Sequence, residues 1–122
     1  MTKLESLKKS SHFEVVLKHR VINNNLFTIY RTKNFIKKTK ETKKLHISFV
    51  MKKKIGNAVK RNRIKRKLKY AVQKILKEKQ LIDLNYTYVI FGKNNVYKDK
   101  FANIFFEVNE TFKKINKIGK QV

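Results

Sequence analysis

Apolar residues recur along this chain at two spacings, one typical of strands and the other of helices. Every second residue of the segment 45–51 is apolar, which is the period of a strand with one apolar face. The segments 26–30 and 86–91 are short, β-branched and aromatic, and they predict two further strands. We therefore expect a small sheet.

Three other segments have the spacing of amphipathic helices. The first follows Ser11, which together with Glu14 predicts a capping box at the helix start, and it is predicted to end near the polar run 23–25. The longest covers residues 57–80 approximately, and the last covers residues 101–115. Between two of the strands, the Lys- and Thr-rich residues 32–44 predict a mobile connection.

The predicted order of elements is α-β-β-β-α-β-α, which includes one more strand, before the long helix, than the three strand segments described above, and it has no internal repeats or obvious linker between domains. It predicts an α+β fold in which a small, mostly antiparallel sheet is packed with helices in a split βαβ arrangement. The length of 122 residues suits one hydrophobic core. Residues 1–122 are therefore predicted as a single domain, with flexible ends at 1–9 and 117–122.

Composition adds charge to this picture. Apolar residues make up 41% of the chain, enough for a folded core, while 32 Lys and Arg against 8 Asp and Glu give a net charge of +24. Such a charge repels itself unless a polyanion screens it, so nucleic acid is the leading partner. A genome rich in A and T also inflates lysine, but it does not favour clustered arginines.

Some classes of protein are excluded. The chain has no cysteine, so disulfides and thiolate metal ligands are absent. No apolar stretch has the length of a signal peptide core or approaches the ~20 residues of a membrane span. We expect a cytoplasmic protein with no membrane contact.

The longest helix carries most of the information about function. No acidic residue occurs between Glu41 and Glu78, so most of this helix has no internal partner for its cations. Gly56 permits a tight turn before it, and Asn57 is a plausible N-cap. On a helical wheel, the apolar residue Ile64 lies at the centre of the predicted buried face.

Polar and basic side chains occupy the rest of the wheel. Asn62, Arg66 and Lys69 follow one line at i, i+4 and i+7, with Arg61, Arg63 and Lys65 around them, Arg61 partly over the core edge. Arginine forks and mobile lysines together suit irregular folded RNA. The alternative for such a charge run is a merely solvated face. A zipper-type DNA reader is disfavoured because a strand follows the helix.

The segment Lys53–Val59 followed by Arg61–Arg66 resembles the signature of the bacterial ribonuclease P protein family. That resemblance implies a fold similar to a ribosomal protein domain, with a left-handed crossover through the long helix. It implies that the RNA subunit performs the hydrolysis with magnesium that it mainly binds itself. The protein component, itself without catalytic residues, is implied to bind the RNA subunit and the 5′ leader of precursor tRNA, with no protein partner required.

The resemblance also assigns residues. Contact with the RNA subunit falls to a mainly basic set: Lys53, Lys54, Asn57, Arg61, Asn62, Arg63, Lys65, Arg66 and Lys69. Leader contact falls to Phe13, Leu17, Thr28 and Tyr30. The alternative for Phe13 and Leu17 is ordinary core packing. Three positions depart from the family pattern: Leu17 is often aromatic there, Ser48 is usually glycine and Lys93 is usually arginine.

Two other functions compete with this interpretation. A ribosomal or other general RNA-binding protein shares the small, basic, cysteine-free α+β character, but does not require the segment 53–66. A protein endonuclease needs an acid/base or metal constellation. The histidines His12, His19 and His46 are scattered and no carboxylate cluster is present. We therefore predict no catalytic residue and no metal ligand on the protein.

Overall fold

Helices cover both faces of a five-stranded sheet in the computed structural model, which describes residues 3–35, 44–78 and 82–120, with side chains to residue 117. The elements are β1 (Lys3–Glu5), α1 (Ser10–Leu17), β2 (Arg20–Asn23), β3 (Phe27–Lys33), β4 (Lys44–Val50), a 3₁₀ turn (Lys53–Ile55), α2 (Ala58–Glu78), β5 (Tyr86–Gly92), α3 (Asn95–Lys98) and α4 (Phe101–Lys120). The predicted order is confirmed, with β1 and α3 added to it. The predicted end of the first helix near Asn23 is wrong, because α1 ends at Leu17 and residues 20–23 form β2.

The strand order in the sheet is β1-β4-β5-β3-β2. β3 pairs antiparallel with β2 and β5, whereas β4 pairs parallel with β1 and β5, so the sheet is mixed. The two strands that α2 connects, β4 and β5, are direct neighbours. A split βαβ arrangement would require another strand between them. The α+β class is confirmed, and the left-handed crossover stays a prediction.

Alternating side chains divide the core between the two faces of the sheet. On one face, residues such as Ile29 and Tyr88 are fully buried together with the apolar stripes of α2 and α4. On the other face, Val89 packs with Val16 of α1 and with Leu7. Helix α1 has only eight residues, so it covers just part of this second face.

The first helix begins earlier than the sequence predicts. Lys9 occupies the N-cap position, and its carbonyl oxygen accepts hydrogen bonds from the backbone N–H groups of His12 at 3.1 Å and Phe13 at 3.3 Å. Ser11 therefore lies inside the first turn, where it cannot serve as the N-cap, and no side chain caps this helix. The predicted capping box is wrong.

Both chain ends contain secondary structure. Residues Lys3–Glu5 pair with β4, and the Leu7 backbone N–H donates a 2.8 Å hydrogen bond to the Ser48 hydroxyl. Helix α4 continues to Lys120. The flexibility of the ends 1–9 and 117–122 stays a prediction, and residues 1, 2, 121 and 122 lie outside the described residues. Of the predicted mobile connection, Thr32 and Lys33 belong to β3, and 36–43 lie outside the described residues.

Candidate nucleic-acid interface

The turn before α2 has the geometry that its sequence predicts. Gly56 adopts a φ of 156°, a conformation that other residues rarely adopt. Asn57 is the N-cap, because its Oδ1 accepts a 2.9 Å hydrogen bond from the Lys60 backbone N–H. Because Oδ1 caps the helix, the predicted RNA contact of Asn57 would be made by its amide NH₂ group. Lys53 and Lys54 are exposed on the turn itself.

Helix α2 separates an apolar face from a basic one. Its buried residues are Ile64, Leu68, Ala71, Val72 and Ile75. Five predicted RNA-binding side chains are exposed on the remaining surface: Asn62, Arg63, Lys65, Arg66 and Lys69. Among the described residues the ion pairs are Lys44 with Glu5 and Lys113 with Glu110, so none of these cations is neutralised by a carboxylate. This surface is available to an external anion.

Arg61 differs from the other basic residues of α2. It is half-buried, as the sequence predicts for a residue over the core edge, and its Nε is buried without a hydrogen-bond partner among the described residues. The Nε–H group of Arg61 is therefore not accessible to a phosphate at the protein surface. We expect less direct RNA contact from Arg61 than from Arg63 or Arg66.

Lys67 also has a role that the sequence does not reveal. Its Nζ donates hydrogen bonds to three backbone carbonyls after and within α3: Val96 at 3.1 Å, Tyr97 at 3.0 Å and Asp99 at 3.0 Å. Carbonyls at a helix C-terminus lack partners within the helix, and a cation there also complements the helix dipole. Lys67 thus attaches α3 to α2.

A cleft of about 590 Å³ opens on the sheet face that α1 leaves uncovered. Three of the four predicted leader-binding residues line it: Leu17, Thr28 and Tyr30. Phe13 is not among the lining residues. It is half-buried and packs against the cluster of Leu7, Val16 and Val89, but Tyr30 and Phe91 of the cleft pack against the same cluster, so the leader contact of Phe13 stays a prediction.

The cleft also contains residues that sequence reasoning missed. Tyr30 and Phe91 meet edge to face with ring centroids 5.6 Å apart, and the Lys52 ammonium lies 5.8 Å from the Phe91 centroid. Lys93 reaches the same cleft and donates a 2.6 Å hydrogen bond to Asn23 Oδ1. Phe91 comes two residues after Val89 on β5 and therefore lies on the same face of the sheet, which the sequence could have predicted. The position of Lys93, by contrast, depends on the fold.

Lys54 connects the two surfaces. It lines the cleft and lies on the 3₁₀ turn, three residues before the N-cap of α2. The cleft therefore opens beside the start of the basic helix. An aromatic floor with cations at its rim suits single-stranded nucleic acid, because bases stack on rings while lysines meet phosphates.

The described residues contain no group of three or more His, Asp or Glu side chains placed to hold a metal ion. His46 is buried in the sheet, while His12 meets Phe35 edge to face at 5.2 Å and His19 is exposed. No helix among the described residues is long and apolar enough to span a membrane.

Comparison with known proteins gives consistent results. The family model described as ribonuclease P matches residues 1–116. The ribonuclease P protein component of Mesomycoplasma hyopneumoniae (strain 7448) is 29% identical over 119 residues, covering 96% of this chain and 97% of that protein. The component of Mesoplasma florum is 30% identical over 105 residues, covering 85% and 88%.

Solved structures resemble the fold. The RNase P protein of Staphylococcus aureus superimposes with a TM-score of 0.62 at 26% identity, covering 92% of this chain and 94% of that one. The RNase P protein of Thermotoga maritima, solved in complex with 1-(4-fluorophenyl)-2-thiourea, gives a TM-score of 0.63 at 19% identity, covering 83% and 91%. The second likeness supports the fold alone.

Proposed function

Because this chain belongs to the ribonuclease P protein family, we propose that it binds a catalytic RNA subunit and the 5′ leader of precursor tRNA, supporting removal of that leader. The observation that carries the proposal is that two different surfaces meet at Lys54: the basic face of α2, whose cations have no carboxylate partner among the described residues, and the aromatic cleft. A protein with a single RNA contact site would need only one of these surfaces.

Helix α2 is proposed as the contact with the RNA subunit. Its exposed cations have no carboxylate partners among the described residues, so phosphates can neutralise them without displacing an internal ion pair. Arg63 and Arg66 can each hold a phosphate through a planar fork, and Lys69 adds a mobile charge. The apolar stripe of the same helix fixes their direction.

The cleft is proposed as the leader site. Tyr30 and Phe91 offer ring surfaces on which bases of any sequence can stack. Lys52 and Lys54 line the same cleft and can contact the phosphates of the RNA backbone. Leu17 contributes an apolar wall, 37% exposed, where the family often has an aromatic ring. Such a site accepts many leader sequences, as a general processing enzyme needs.

We assign the chemistry to the RNA partner. The described residues do not fit a magnesium site, because the proposed RNA surface is cationic and Mg²⁺ prefers several oxygen ligands, usually carboxylates and phosphates. The protein's part is to bind and to neutralise phosphate charge, so that the folded RNA and its own metal ions form the active site. The predicted cytoplasmic location stays a prediction.

Reconstitution tests this proposal. Purified protein mixed with its cognate ribonuclease P RNA is expected to restore precursor tRNA cleavage at low magnesium. Arg63→Ala with Arg66→Ala should remove this stimulation and lower the salt-dependence slope of RNA binding by up to about two units, since each lost phosphate contact costs about one. Lys98→Ala with Lys100→Ala removes the same charge at two positions outside α2 and should preserve both. No stimulation by the wild type contradicts the proposal.

A further inference from the structure

A second cavity, of about 510 Å³, lies at the edge of the sheet formed by β2. Its lining includes five basic or imidazole side chains and one ring: Lys18, His19, Arg20, Arg31, Lys33 and Tyr86. It contains no acidic residue. We call it the β2-edge pocket. Neither the basic helix nor the cleft includes any of these residues.

Basic lining is not a general consequence of the composition. A cavity of similar size beside α3, about 500 Å³, is lined by a single cation, Lys98, together with Asp99, Glu107 and three asparagines. The protein therefore has both basic and nearly neutral cavities. The concentration of cations at the β2 edge is a local feature.

Arg31 is held in place before any ligand binds. Its guanidinium lies over the Tyr86 ring, 4.1 Å from the centroid, and its Nη2 donates a 3.4 Å hydrogen bond to the Ile115 carbonyl. The Tyr86 ring and the hydrogen bond restrict the position of the guanidinium, whose planar fork carries five N–H donors in total. Arginine fixed in this way loses less entropy on binding phosphate than a free side chain does.

The edge strand adds a second built feature. The pairing of β2 with β3 shifts register between Arg20 and Ile22, and the Arg31 backbone N–H donates to the His19 carbonyl at 3.1 Å. Bulges at sheet edges redirect side chains. Here the irregularity brings the lysine and arginine that follow α1 to the same cavity as Arg31.

We propose that the β2-edge pocket is a second anion site, which binds phosphodiester groups of RNA. The inference rests on the proposed function and extends it, since the RNA comes either from the RNA subunit or from the leader beyond the cleft. For the second source, Thr28 of the cleft and Thr32 of the pocket are about 13 Å apart along β3 at ~3.3 Å per residue, but the RNA would also have to pass the sheet edge, because Arg31 lies on the α4 face of this strand.

The simpler explanation is edge protection, because charged side chains on edge strands prevent pairing with other sheets. Charge reversal separates the two explanations. Lys18→Glu with Arg20→Glu keeps both exposed positions charged, so edge protection survives, but an anion site is lost. Lys98→Glu with Lys100→Glu is the matched control, with the same change of four units in net charge.

The experiment measures affinity across a salt series for the full chain, with two probes: the cognate ribonuclease P RNA and an unstructured single-stranded RNA. We expect Lys18→Glu with Arg20→Glu to weaken one probe at least tenfold and to lower its slope by one to two units, about one per lost contact, with less than threefold loss for the control. Which probe weakens identifies the source of the phosphates.

Equal weakening by the two double variants, or no weakening by either, overturns the proposal. Arg31→Lys gives a second test that preserves charge: loss of the stacked fork should weaken the same probe. Circular dichroism verifies folding of each variant. If the wild type binds neither RNA, the proposed function itself fails; if it binds both and the β2-edge variants match the control, only this inference fails.

Discussion

The sharpest test of the interface compares two lysines on the same helix, Lys67 and Lys69, each changed to methionine. Methionine keeps an unbranched side chain with high helix propensity and removes the charge. Lys67 is half-buried and binds three carbonyls at 3.0 to 3.1 Å, whereas Lys69 is exposed and makes no hydrogen bond or ion pair within the described residues. We expect Lys67→Met to lower thermal stability without changing the salt dependence of RNA binding, and Lys69→Met to do the reverse.

The magnitude for Lys67→Met follows from these contacts. A hydrogen bond from a charged donor contributes about 1.5–3 kcal/mol, but the three bonds share one ammonium and are partly solvated, so they are not additive. Ordering a lysine side chain costs up to about 2 kcal/mol of this gain. A net loss of about 2 kcal/mol lowers Tm by roughly 6–10 °C for a chain of this size. Lys69→Met should leave Tm nearly unchanged.

RNA binding should show the opposite pattern. Lys69→Met is expected to lower the salt-dependence slope by up to about one unit, since one phosphate contact is lost. Lys67→Met should leave that slope unchanged at a temperature where it is folded. Thermal melts followed by circular dichroism and a filter-binding salt series measure both quantities. An unchanged Tm for Lys67→Met together with a slope loss equal to that of Lys69→Met would refute the assignment.

Three further predictions follow from the core and the cleft. Gly92→Ala should destabilise the protein by about 1–3 kcal/mol in urea unfolding, because its Cβ would lie 2.8 to 2.9 Å from atoms of Ile64, Met51 and Leu68; a stability equal to the wild type would contradict this. Tyr30→Ala should weaken binding of precursor tRNA more than of mature tRNA, whereas Phe13→Ala should mainly lower Tm; equal loss of both RNAs by Tyr30→Ala would remove Tyr30 from the leader site. Burial raises the pKa of Tyr88 to about 12 from its ordinary 10, so the stability it contributes is present below pH 10 and is lost as pH rises towards 12; Tyr88→Phe should reduce this alkaline loss, and an unchanged pH profile would contradict it.

The spacing of residues in the sequence predicted the features that depend only on nearby residues, such as the buried face and the N-cap of α2. The i, i+4 repeat of Ile64 and Leu68 gave the buried face of α2, and Asn57 is the N-cap that its position indicated. Strand β1 escaped prediction because three residues are too short to show a period, and its place depends on pairing with β4. The departure at Ser48 has a structural reason that sequence could not supply: its hydroxyl accepts the Leu7 N–H of the segment after β1.

Sites built from distant segments were predicted only in part. Lys67 and Lys69 are indistinguishable in sequence, and only the position of α3 separates them. The family resemblance identified Leu17, Thr28 and Tyr30, all in the cleft, but could not decide whether Phe13 belongs there, because a half-buried ring suits core and cleft equally. Phe13 packs against the same cluster as Tyr30 and Phe91, so its part in the leader site stays a prediction.

The few carboxylates explain more about orientation than the many cations do. Helix α2 contains nine Lys and Arg residues and one acidic residue, Glu78, at its end. Glu107 and Glu110 lie instead on α4, and Asp99 lies just before it. Helix α4 still holds four lysines against its two glutamates, so both helices are basic and α2 is the more strongly charged. Surfaces of one sign steer a charged partner before contact, so we expect RNA, attracted by the net charge of +24, to approach preferentially on the α2 side.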